Sequence, residues 1–268
     1  MNSSYSLHKI DNENQCPFDA NEYSWFKFGD KQYAEKFATE LFDGFIEKYG
    51  DLLLSKKDIV ILPSPYLSIP TASNFLCHYF KKWLNNFLFK NQKNVSIESK
   101  IYRNQTYVTD YGNLSFDERV KLISNDTYYI DRNFINNKLC IFVDDIKITG
   151  SHEHTVNKIL EQYNVNGDFV FVYFAELVNK EIHPKIENYY NYFAVKGIED
   201  IVDVVNRVNF QYNTRIIKYI LNLDEDRFSI LINNISIEKR DELFHLAISN
   251  NYHQIIDYRN NIETIKIV

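Results

Sequence analysis

Cys140-Ile-Phe-Val-Asp-Asp-Ile-Lys-Ile-Thr-Gly-Ser151 is the stretch that decides the fold. Leu139 to Val143 runs without a polar break, as a strand buried on both faces of a parallel sheet must. It ends in two adjacent carboxylates, Asp144 and Asp145. The turn Thr149-Gly150-Ser151 then opens a helix carrying Val156, Ile159 and Leu160 at helical spacing. Backbone N–H groups at such a helix start, with the adjoining hydroxyls, form an anion site suited to a monophosphate. The acidic pair accepts hydrogen bonds from sugar hydroxyls or holds Mg2+ through water. A sugar phosphate satisfies both halves at once.

Working outward, Asp58-Ile-Val-Ile-Leu-Pro63 reads as a second buried strand, followed by the loop Ser64-Pro-Tyr-Leu-Ser-Ile-Pro70. Thr71 to Leu88 places Phe75, Tyr79, Leu84 and Leu88 as a helix would. Val95 to Tyr102 alternates as a strand, residues 103–114 form a polar loop, and Ser115-Phe-Asp-Glu118 offers a capping box. Asp168 to Ala175 is a further buried strand. The alternation of strands and helices predicts an α/β fold with an open, mostly parallel sheet, and ligands bind such sheets at the carboxyl ends of the strands where strand order reverses. Residues 1–54 read as an N-terminal extension with an amphipathic helix that can serve as a hood, 55–197 as the α/β core, and 198–268 as an added α-helical C-terminal region.

At 268 residues the chain buries a full core without covalent staples, and its three cysteines are an odd number with no CxxC spacing. A reducing cytoplasm is the expected location. No apolar run reaches the roughly 18 residues of a membrane span, and Met1 to Asn14 is too polar for a signal peptide. The net charge of -6 argues against broad nucleic-acid binding, which needs a dense positive face. The 20 Tyr and 20 Phe beside only 7 Gly reflect a shift of overall residue usage, and no function is read from them.

The segment from Ile141 to Ser151 resembles the PRPP-binding signature of the type I phosphoribosyltransferase family, where PRPP is 5-phosphoribosyl-1-pyrophosphate: an apolar strand, Asp-Asp, three variable residues and Thr-Gly. The resemblance implies that Asp144 and Asp145 bind the ribose hydroxyls, with Mg2+ held there through ribose or water. It implies that Lys147, Ile148, Thr149, Gly150, Ser151 and His152 wrap the 5-phosphate, His152 standing where many members carry threonine. The pyrophosphate loop of the family corresponds to Ser64 to Thr71, with Ser64, Tyr66 and Ser68 as donors but no Lys or Arg, so that Lys100 or Arg103 and Mg2+ would supply charge. The family's mobile catalytic loop corresponds to about Gln105 to Glu118, and Arg103, Tyr107 and Arg119 are candidates near the reacting centre. The implied activity is Mg2+-dependent transfer of the 5-phosphoribosyl group from PRPP to a nucleobase or related nitrogen acceptor. The alternative is a catalytically silent PRPP- or nucleotide-binding effector of bacterial stress or defence. A second copy of the chain is a candidate partner, as is a protein or nucleic acid on the helical tail.

Plainer readings compete at several positions. His152, Glu153 and His154 are adjacent on a helix and point apart, so solvent or phosphate contact is favoured over a metal site. Cys140 and Cys77 read as packed core. The aromatic run Tyr189-Tyr-Asn-Tyr-Phe193 reads as a junction between core and tail before it reads as a base-stacking surface, and Glu238 to Glu242 as a solvated face.

Overall fold

The computed structural model describes residues 2–103, 115, 117, 118 and 128–267. Strands β1 (Asn2–Ile10), β2 (Ile59–Pro63), β3 (Ile97–Glu98), β6 (Lys138–Lys147) and β7 (Gly167–Leu177) form one sheet, and β4 (Tyr102–Arg103) and β5 (Tyr128–Tyr129) a separate antiparallel ribbon. The five-stranded sheet has the order β1-β7-β6-β2-β3 with every pairing parallel.

The apolar runs are continuous because the central strands are covered on both sides. Ile59, Ile61, Leu139, Ile141, Val143, Val170 and Val172 face α2 (Lys31–Ser55) and α3 (Ala72–Lys90). Their alternates Val60, Leu62, Cys140, Phe142 and Phe171 face α5 (Ser151–Gln162), with the short α4 (Arg132–Ile135) at the margin. Each such side chain contributes about 1.5–3 kcal/mol relative to exposure. The chain leaves β2 through α3 toward one edge and leaves β6 through α5 toward the other, so strand order reverses between β2 and β6. That reversal positions the site.

Two expectations are corrected. Residues 1–54 are no detached extension: β1 pairs with β7 over most of its length as the edge strand, and α2 lies against the sheet. An edge strand with a half-solvated face needs no apolar run, and only Ser6 and Ile10 of β1 are buried. Val95 to Tyr102 is likewise not one strand. Only Ile97–Glu98 pairs with β2, and Tyr102–Arg103 turns away to pair with Tyr128–Tyr129. Ser115 and Glu118 do exchange capping-box hydrogen bonds, the Ser115 N–H donating to Glu118 Oε2 at 2.8 Å and the Glu118 N–H to Ser115 Oγ at 3.4 Å. Tyr107 and Arg119 lie outside the described residues. Cys140 and Cys77 sit in the core, and all three cysteines are unpaired. Among the described residues, no helix is long and apolar enough to cross a membrane.

α6 (Ile186–Asn191) adds Ile186 and Tyr190 to the sheet core, and the tail comprises α7 (Ile198–Val205), α8 (Thr214–Leu221), α9 (Glu225–Asn233), α10 (Ile237–Ser249), a 3-10 turn at Tyr252–Gln254, and α11 (Ile256–Ile267). Ile201, Val204, Ile216, Ile220, Leu231 and Leu243 build its core, which Phe28 and Ile69 join from the sheet side. The tail is stitched to α1 (Ala20–Lys27) and to the residues after it. The Gln211 N–H donates to Gly29 O at 2.9 Å, the Lys31 N–H to Asn209 O at 3.0 Å, and Asn213 Nδ2 to Lys27 O at 3.1 Å. Gly29 makes this junction possible, for it has φ +98° and a Cβ there would lie 2.3 Å from Gln211 O.

Gly29→Ala therefore combines a left-handed L-residue, about 1–2 kcal/mol, with a backbone clash, and urea denaturation is expected to show a loss of at least about 2 kcal/mol. Gly50→Ala is the control: its Cβ meets nothing nearer than 3.8 Å inside α2, and the variant should gain roughly 0.5–1 kcal/mol.

Candidate functional site

Successive side chains on a strand point to opposite faces, so the two acids at the end of β6 diverge. Asp145 turns toward α1. The Tyr23 hydroxyl donates to its Oδ2 at 2.6 Å, and the Lys27 ammonium bonds the same oxygen. Tyr23 and Lys27 stand four apart on α1 and so share a face, and Asp19 caps that helix by accepting from the Asn21 and Glu22 N–H groups. The Lys27 and Asp145 side chains are only 9% and 8% exposed. Burial raises the Asp145 pKa, Lys27 opposes it, and the charge on Asp144 adds to the rise.

Asp144 turns toward α5. Its Oδ2 lies 2.9 Å from His152 Nδ1, and its Oδ1 accepts the Asp145 N–H at 3.0 Å. Burial works against ionisation of Asp144, but the His152 charge and the Ser64 hydroxyl override it and hold the carboxyl well below the usual range. Burial likewise disfavours the His152 cation, yet Asp144 raises its pKa above the ordinary value. The departure at His152 thus sets an imidazole of raised pKa against the first acid.

Beyond the acids, Gly150 adopts φ +76°, which turns the chain so that Ser151 starts the 12-residue α5 with its amides facing the strand end. Thr149 Oγ1 donates to Ser151 Oγ at 3.1 Å, fixing two hydroxyls beside that mouth. Lys147 does not join them. Its ammonium lies 2.7 Å from Glu153 and 3.5 Å from Glu176, and the Tyr173 hydroxyl holds Glu153 at 3.1 Å.

These groups open on a cavity of about 500 Å³, within the roughly 300–1,000 Å³ of small-molecule sites. Ser64, Arg103, Asp144, Asp145 and the run Lys147 to His152 all line it. Tyr66 and Ser68 do not. Tyr66 stacks under the Lys100 ammonium at 3.6 Å, which also removes Lys100 from the site, and Ser68 donates its N–H to Asn250 Oδ1 at 3.0 Å. The residues that sequence reasoning missed are Lys27 and the tail's contribution: Tyr192, Arg215, Lys218, Tyr219 and Asn222 line the far wall. A signal for the latter exists, since Arg215, Lys218, Tyr219 and Asn222 follow helical spacing opposite the buried Ile216, Ile217, Ile220 and Leu221.

The donor set does not fit a Mg2+ held by the protein. Each acid already has a basic side-chain partner, Lys27 for Asp145 and His152 for Asp144, and among the described residues no three His, Cys, Asp or Glu side chains converge as a metal site. The His152, Glu153 and His154 run behaves as separate residues, with His152 on Asp144 and Glu153 on Lys147.

Lys27→Met strands a buried carboxylate, and chemical denaturation is expected to show a loss of about 3–5 kcal/mol, partly restored by Asp145→Asn in the same chain. The Asp144–His152 pair gives a pH signature with a definite sign. A lowered Asp144 pKa stabilises fully above its ordinary 3.8, and a raised His152 pKa stabilises fully below its ordinary 6.5. The contribution therefore fills that window and fades as pH rises through the elevated His152 value. Melting temperature against pH should lose this alkaline decline in His152→Asn.

A family model described as PRTase ComF-like matches residues 1–265. Among solved structures, a hypoxanthine phosphoribosyltransferase from Staphylococcus aureus is similar at 12% identity, covering 53% of this chain and 74% of that one with a TM-score of 0.32. The AQ2163 protein from Aquifex aeolicus is similar at 9% identity, covering 70% of this chain and 99% of that one with a TM-score of 0.37. No curated protein matches. The family match spans nearly the whole sequence, and the chain belongs to the PRTase ComF-like family.

Proposed function

We propose that the protein is a phosphoribosyltransferase that takes PRPP and transfers its 5-phosphoribosyl group to a nitrogen of a nucleobase or related acceptor. The observation that carries this reading is the opening of the Asp144 carboxylate and the Thr149–Ser151 helix mouth on one cavity, at the point where strand order reverses. Asp144 accepts from the ribose hydroxyls, and the α5 amides with the Thr149 and Ser151 hydroxyls hold the 5-phosphate.

In the reaction the acceptor nitrogen bonds to the anomeric carbon while the bond from that carbon to the diphosphate oxygen breaks, its electron pair leaving with diphosphate. Positive charge grows on the sugar ring, and preorganised charge in a shielded cavity stabilises it. No protein nucleophile takes part. Cys140, the nearest thiol in sequence, is buried in β6 with its pKa pushed up to about 12. The unpaired cysteines accord with action in a reducing cytoplasm.

A second reading has one observation in its favour. Both acids already have a basic side-chain partner, Lys27 and His152, which suits recognition of a phosphoribosyl ligand without transfer. Isotope-labelled PRPP incubated with a panel of bases separates the two. Pyrophosphate release matched by nucleotide formation supports the transferase, with Asp144→Asn lowering kcat/KM by about 100-fold in a chain whose circular dichroism still reports the native fold. Tight PRPP binding without product supports the recognition protein. Absence of PRPP binding in calorimetry would end both.

A further inference from the structure

The loop after β2 is poorly equipped to hold a second anionic group. Ser64-Pro-Tyr-Leu-Ser-Ile-Pro-Thr71 has no Lys or Arg, and Pro65 and Pro70 have no N–H to give. Three of its six other amides are spent inside the protein. Ser68 and Ile69 donate theirs to Asn250 Oδ1 at 3.0 and 3.2 Å, and Thr71 donates to Asn74 Oδ1 at 2.7 Å.

The contacts that occupy this loop also dock the tail on it. The Thr214 N–H donates to Pro70 O at 2.9 Å, and Thr214 Oγ1 donates to Ile69 O at 2.9 Å. Thr214 is the first residue of α8, so the helix begins at the loop and runs along the cavity. Its inner side, Ile216, Ile217, Ile220 and Leu221, has no exposure, and this packing sets the rotation of the helix. The polar stripe Arg215, Lys218, Tyr219 and Asn222 is thereby turned to the cavity. The Arg215 guanidinium lies 5.5 Å from the Tyr192 ring centre, a contact that orients its fork. Glu187 lines the same space as a countercharge. Arg227 also borders it, but that side chain is 57% exposed and lies 2.6 Å from Asp224, which assigns it to the rim.

We infer that Arg215 and Lys218 of the C-terminal region recognise the diphosphate of PRPP, the task for which the β2 loop lacks charge. A planar guanidinium grips phosphate oxygens in pairs, and an ammonium beside it adds a point charge. The inference rests on the phosphoribosyl reading above and adds to it the source of the diphosphate site. On this view the helical tail is half of the binding site.

Calorimetry on the full chain with PRPP, inorganic pyrophosphate and ribose 5-phosphate tests it. Arg215→Gln with Lys218→Gln is expected to weaken PRPP and pyrophosphate by about ten-fold for each charge removed, with ribose 5-phosphate changed by less than about two-fold. Lys218→Gln alone, outside the buried face of α8, gives the same reading at about ten-fold should the double variant melt early. Unchanged PRPP affinity in the variants, or an equal loss for ribose 5-phosphate, overturns the diphosphate assignment while leaving the sugar-phosphate site standing. Failure of the unmodified protein to bind ribose 5-phosphate or PRPP removes that site and this inference with it.

Discussion

The alternation of side chains at the end of β6 governs the rest of the site. Because Asp144 and Asp145 are adjacent on a strand, they cannot face the same way, and each enters a different side of the sheet. Asp145 is bound into the α1 face by Tyr23 and Lys27, where solvent scarcely reaches. Asp144 remains on the α5 side with His152, beside the turn that starts the helix. Both acids line the cavity, but Asp145 also anchors sheet to helix while Asp144 stands beside the helix mouth. A motif read as a pair acts as two separate groups.

That anchoring explains why the N-terminal and C-terminal additions form one construction. Lys27 ends α1, its carbonyl accepts from Asn213, and the following Gly29 accepts from the Gln211 N–H. The same tail segment then reaches the β2 loop through Thr214, and the end of α10 reaches it through Asn250. Ser68, Ile69 and Pro70 of the loop bond the tail through their backbone groups, the buried Ile69 among them. The cavity gains a wall bearing Arg215 and Lys218 in exchange for a loop without charge. The result is a sugar-phosphate cradle from the sheet opposite a cationic face from the helices.

Several contacts lie beyond what local pattern can reveal. Lys147 reads from the sequence as a phosphate ligand, but the parallel partner β7 places Glu176 beside it and α5 places Glu153 within reach. Tyr66 and Ser68 read as pyrophosphate donors, but an ammonium and an asparagine from distant positions take them up. Each depends on a residue far away in sequence, and spacing along a single chain carries no information about such neighbours. The polar strand β1 was invisible for a related reason, because an edge strand gains its order from β7 and not from its own apolar content.

The central strands, the helix after Gly150 and the position of an anion-binding turn are legible in the order of residues alone. Those features follow from local physics: continuous apolar runs, a residue free to take positive φ, and a helix start with unsatisfied amides. Tertiary packing set the partner of each acid, Lys27 for Asp145 and His152 for Asp144, and brought the helical tail to the cavity wall. Those outcomes depend on the face to which each side chain turns and on the distant segment that packs there, and both are set by the sheet order and the docking of α8, not by any stretch of sequence alone.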